Sequence, residues 1–80
     1  MIKVCISGLG RTGKEIAREI LNQDDIQLVS VICSPSSKLK NMDLGKVLGI
    51  ENTGIIIKGS DNLEEIIFRN KPDVVIDFSN

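Results

Sequence analysis

The chain has 80 residues, a net charge of -1 and no histidine, with 41% hydrophobic and 26% charged residues. That length allows at most one domain, burying roughly 60% of its unfolded surface. The charge balance leaves no electrostatic footprint for nucleic acid or an anionic membrane, the missing histidine removes the commonest general base and metal ligand, and the only aromatics, Phe68 and Phe78, give no base-stacking platform.

Ile2 to Ser7 reads I-K-V-C-I-S, a short β-branched run that suits a buried strand. It runs straight into S-G-L-G-R-T-G, with Gly8, Gly10 and Gly13 in the spacing G-x-G-x-x-G. From Arg11 to Asn22 the period changes. Ile16, Ala17, Ile20 and Leu21 form one stripe of an α-helix, while Lys14, Glu15, Arg18 and Glu19 are expected on its solvated face. Asn22 to Asp25 end that helix. Ile26 to Cys33 is nearly apolar throughout, as buried parallel strands are.

Ser34 to Asn41 is a polar loop with Pro35, Ser34, Ser36, Ser37, Lys38 and Lys40. Met42 to Leu48 is expected to form a short helix closed by Gly49. Gly54 to Lys58 reads as a third strand. A second helix of full length follows. Asp61 is expected to cap it, Glu64 to complete a capping box, and Leu63, Ile66 and Ile67 to form its inward stripe. Asn70 and Pro72 stop it. Asp73 to Phe78 is the fourth strand.

Strands alternating with helical patterns imply parallel pairing through right-handed crossovers. The expected fold is therefore α/β: a Rossmann-like open parallel sheet of four strands, order 3-2-1-4, with helices on both faces. Ligands of such sheets bind beyond the carboxyl ends of the strands, where strand order reverses. Here that point lies between strands 1 and 4, with the glycine turn on one side and Phe78 and Ser79 on the other.

A lone G-x-G-x-x-G is weak, but this one follows a strand and opens a helix, the context that dinucleotide binding requires. Gly8 permits the tight turn, Gly10 lets a pyrophosphate approach the backbone, and Gly13 lets the helix pack close to strand 1. Leu9, Arg11 and Thr12 complete the cradle, whose free N–H groups and helix end attract phosphate. The acid that reads an NAD ribose is expected about 20 residues further on. Cys33 stands there, followed by Ser34, and no carboxylate appears until Asp43. Hydroxyls, Lys38, Lys40 and Arg11 suit a 2′-phosphate instead. The expected cofactor is NADP or NAD, with NADPH favoured.

Cys5 and Cys33 read as buried, reduced thiols, and no metal site is expected because the ligands are too few and too far apart. Asp77 is expected to order the crevice by hydrogen bonds; its other reading is a catalytic carboxylate. No nucleophile–base pair is evident, and no run has signal-peptide or membrane-spanning form, which gives a cytoplasmic expectation.

With these residues placed, the chain resembles the amino-terminal, cofactor-binding half of the dihydrodipicolinate reductase family. The resemblance rests on M-I-K-V at the start, G-R-T-G-K at 10–14, D-L-G-K-V-L-G at 43–49 and D-V-V-I-D-F-S at 73–79. The first turn is one residue shorter than the family's usual G-x-x-G-R-M-G. In that respect the chain is also similar to 2,4-diaminopentanoate dehydrogenase.

The resemblance implies hydride transfer from NAD(P)H to a cyclic imine-type substrate of the diaminopimelate and lysine pathway. It would place Gly8 to Gly13 along the pyrophosphate, Arg11 and Ser34 near the adenosine ribose, and Phe78 and Ser79 at the nicotinamide end. It also implies that the substrate site and the homo-oligomer contacts belong to a carboxyl-terminal domain. Residues 1–80 are thus expected to be a single NAD(P)-binding domain fragment, inactive by itself and with apolar surface left exposed. A competing expectation, from another class, is a nucleotide-sensing regulatory module that needs no catalysis.

Overall fold

The computed structural model describes residues 1–78. Strands β1 (Ile2–Ser7), β2 (Ile26–Cys33), β3 (Lys58–Gly59) and β4 (Val74–Asp77) form one sheet. Its order is β3-β2-β1-β4 and every neighbouring pair is parallel. The helices are α1 (Arg11–Leu21), α2 (Leu44–Leu48) and α3 (Leu63–Asn70). The expected strand order and helix alternation are both present.

Burial shows why the helices divide between the two faces. Val4, Ile6, Leu28 and Val31 point to one side of the sheet, where Ala17 and Ile20 of α1 and Leu44 and Leu48 of α2 cover them. Cys5 and Ile32 point to the other, where Ile66 of α3 meets them. The first face holds the main core. The second is thin, because α3 contributes one buried side chain. Its expected stripe is cut to Ile66: Leu63 and Ile67 are each more than a third exposed, and Phe68 is 76% exposed. Val74 and Val75 of the terminal strand β4 are also half exposed.

The third strand is shorter than expected and starts later. Residues 55–57 pair antiparallel with the segment at 41–44 and not with β2. Leu44 N–H donates to Ile55 O at 2.8 Å, Ile57 N–H to Met42 O at 2.9 Å and Asn41 N–H to Ile57 O at 2.7 Å. With these backbone groups satisfied, only Lys58 and Gly59 are left to pair with Ile32 and Cys33.

The predicted capping box at α3 is absent. Ser60–Asn62 form a single 3-10 turn, Asn62 precedes the helix, and no side chain caps either element. The short helix α2 begins at Leu44 rather than Met42, because Asp43 caps it: the carboxylate accepts from Gly45 N–H at 2.7 Å. Arg18, expected in solvent, crosses to α2 and donates to Leu48 O at 3.1 Å. One Arg side chain thereby ties the last carbonyl of α2 to α1.

Candidate functional site

The glycine turn is held from both sides. Gly8 N–H donates to Ile32 O at 2.8 Å, and Phe78 N–H donates to Ser7 O at 2.7 Å. The turn thus emerges between the carboxyl ends of β2 and β4, at the reversal of strand order. Gly8 adopts φ +95°, which is open to glycine and strained for other residues. A Cβ on Gly13 would lie 2.5 Å from Gly8 O and 3.6 Å from Phe78 Cδ2. The third glycine therefore lets α1 rest on the turn and on the end of β4.

Gly10 differs. Nothing lies within 4 Å of where its Cβ would stand. It precedes α1 with no side-chain cap, and the first turn of the helix carries no acidic residue. The first bond from the helix back to the turn is Lys14 N–H to Gly10 O at 3.0 Å. The N–H groups of Arg11, Thr12 and Gly13 precede it and have no intrahelical acceptor. Together with the helix dipole they make this end attractive to an anion. A cavity of about 420 Å³ opens here, lined by Gly10, Arg11, Thr12, Gly13, Asp77 and Phe78. The donor set, the open space at Gly10 and a first turn of α1 without acid fit a pyrophosphate.

Not every residue expected at the site faces this cavity. The Leu9 side chain is buried in the main core, which leaves only its backbone toward the turn. Cys33 is buried too, one strand over, where it pairs with Gly59. Ser34 follows it in a tight turn. Its Oγ lies 3.1 Å from Ser36 Oγ and accepts from Ser36 N–H at 3.4 Å, while its carbonyl accepts from Ser37 N–H at 2.9 Å. Ser79 lies outside the described residues. Asp77 borders the cavity and is engaged by the surrounding protein.

Asp43, whose part the sequence reading missed, organises the loop at 50–54 rather than the cavity. Asp43 Oδ1 accepts from Gly45 N–H, from Thr53 N–H at 2.9 Å and from Thr53 Oγ1 at 3.1 Å, and Oδ2 accepts from Gly54 N–H at 2.9 Å. The Thr53 backbone bond, with those from Gly45 and Gly54, holds the Asp43 carboxyl below the usual carboxylate range. An aspartate directly before the apolar Leu44, with Gly49 at the far end, is an N-cap signal that the sequence did carry. In the thin core, burial raises the pKa of the Cys5 thiol, and its neighbour Ser30 opposes this in part.

Residues 2–80 match the family model described as Dihydrodipicolinate reductase, N-terminus. The chain belongs to that family. Among curated relatives of this reductase family, the 4-hydroxy-tetrahydrodipicolinate reductases of Methanococcus aeolicus and Methanobrevibacter smithii are 40% and 41% identical to it. Each match covers 99% of this chain and about 30% of the relative, so the chain spans under a third of the length of these proteins. A solved structure, the amine dehydrogenase from Mycobacterium smegmatis, superposes with a TM-score of 0.75 at 27% identity. It covers 92% of this chain and 21% of that one.

Membership of the dihydrodipicolinate reductase family favours the reductase reading over both the diaminopentanoate dehydrogenase and the regulatory module. Among the described residues, no helix is long and apolar enough to cross a membrane.

Proposed function

We propose that this chain binds the adenosine–pyrophosphate half of NADPH or NADH and serves as the cofactor domain of an imine-type reductase in the diaminopimelate and lysine pathway. One observation carries the reading: an uncapped helix N-terminus with open space over Gly10, at the reversal of strand order. The names of the curated relatives supply the reaction class.

When bound, the nicotinamide supplies hydride. The N–H groups of Arg11 to Gly13 would receive the pyrophosphate oxygens, and the Arg11 side chain would add a cation. Phe78, packed beside Gly13, would exclude water from the nicotinamide end, with Ser79 continuing that border. Cys33 and Ser34 would mark the ribose end. No acid follows β2 there, which favours the 2′-phosphate of NADPH. The substrate groups and the contacts of a cytoplasmic homo-oligomer would come from residues outside this chain.

Calorimetric titration with each cofactor tests the reading, together with turnover of the tetrahydrodipicolinate precursor by the full-length protein. Expected are binding of both cofactors, NADPH the tighter at physiological salt, and loss of both in Gly10→Val. Binding of neither cofactor overturns the reading, and NADH binding several-fold tighter than NADPH overturns the preference.

A further inference from the structure

No acid directly follows β2, but one stands just beyond the end of the neighbouring strand. Cys33 and Gly59 are paired across β2 and β3, so the segments that follow them leave the sheet side by side. Asp61, two residues beyond Gly59, makes none of the cap bonds its position predicts. Its Oδ1 folds back over Gly59, and its Oδ2 lies 3.8 Å from Lys40 Nζ. Lys40 comes from the loop after β2, and its Cε is 3.2 Å from where a Gly59 Cβ would stand. The Cα of Pro35 is 3.4 Å from the same point. A glycine here makes room for a carboxylate and an ammonium over the adjoining ends of β2 and β3.

The ribose of a dinucleotide held by the glycine turn is read at the end of β2. Strands are about 4.8 Å apart, so the Lys40–Asp61 pair stands one strand beyond that point. Both side chains are partly exposed, 32% and 51%, and the separation is too long for a hydrogen bond. A ligand can therefore compete with each partner for the other.

We propose that Asp61 and Lys40 are the cofactor-selecting pair of this domain. The inference rests on the dinucleotide reading above. Asp61 accepts from ribose hydroxyls and repels a 2′-phosphate. Lys40 attracts that phosphate, and each partner moderates the other. The pair lets one site take both cofactors, with the balance set by whichever charge is unmasked.

The test is the NADPH/NADH affinity ratio of the full-length protein, measured by calorimetry for wild type, Asp61→Asn, Lys40→Met and the double variant. Expected are a shift of about five-fold toward NADPH in Asp61→Asn and about five-fold away in Lys40→Met. The double variant should return near the wild-type ratio. Ratios within two-fold of wild type in both single variants, or shifts of the same sign, overturn the selector. Failure of wild type to bind either cofactor overturns the underlying reading instead, and the selector with it. Circular dichroism checks folding. If Asp61→Asn alone unfolds, Lys40→Met decides, because it retains the aliphatic stem over Gly59.

Discussion

Replacing Gly13 by alanine separates packing from binding at the glycine turn. The added Cβ would stand 2.5 Å from Gly8 O, a backbone atom that cannot rotate aside. Ordinary contact begins at 3.4 Å, so α1 or the turn must move by about 0.9 Å, the difference between the two. Overpacking of this kind costs about 3 kcal/mol at the upper end of its usual range. The alanine returns about 1 kcal/mol through helix propensity.

The net loss is about 2 kcal/mol. For a domain of this size it lowers Tm by roughly 8–16 °C. Gly10→Ala makes the contrast. Gly10 has ordinary φ and ψ of -72° and -169° and open space around its Cβ position. Its stability should change by less than about 1 kcal/mol, while cofactor affinity falls about ten-fold or more. Thermal melts followed by far-ultraviolet circular dichroism, with calorimetric titrations beside them, report both effects. A Gly13→Ala melt within about 2 °C of wild type would refute the claim that α1 rests on the turn.

Removing the Asp43 carboxylate should release the loop at 50–54. Asp43→Ala is expected to melt several degrees lower, and Asp43→Asn less so, because one amide oxygen can keep the three bonds now made to Oδ1. The Asp43 pKa is lowered in the folded state. Its contribution is therefore present above the unfolded carboxylate pKa and is lost as pH falls through the lower folded value. Acid titrations of the wild type should show a transition that Asp43→Ala lacks. The raised pKa of Cys5 acts in the opposite pH direction. Stability should decline as pH rises above the ordinary value of 9.0 toward the folded one, and the decline should be absent in Cys5→Ala. Cys5 and Cys33 are both free and buried, so thiol labelling should be slow in the native protein and fast in denaturant.

Much of this arrangement could be read from local chemistry. The switch from the β-branched run Ile2–Ser7 to the stripe at Ile16, Ala17 and Ile20 placed the turn, and each glycine had a separate reason to be there. What escaped the reading depends on partners distant in sequence. Ile55 and Ile57 look like strand residues in any window. Their backbones are committed to Asn41, Met42 and Leu44, which left only two residues for β3. Asp61 has the spacing of a helix cap, but the turn at Ser60–Asn62 and the proximity of Lys40 drew it elsewhere. Leu63 and Ile67 repeat at helical intervals, yet the sheet beneath α3 engages only Ile66. The role of Asp43 was within reach, since its N-cap position is visible in the sequence. Its bonds to Thr53 and Gly54 were not.

The first strand in the chain is an inner strand of the sheet. β1 finds β2 after one helix, but its pairing with β4 waits for nearly everything between, as the bond from Lys3 N–H to Asp73 Oδ2 across 70 positions records. During synthesis the glycine turn and α1 can thus assemble on β2 long before Phe78 arrives to close the far wall of the cavity. Pairing of β4 with β1 and closure of that wall of the cavity are one event. Opening of β4 dismantles the site while α1 and β2 stay in place, and any molecule that bridges the glycine turn and Phe78 slows that opening. Amide exchange in Val74–Asp77 is where ligand protection would register most strongly.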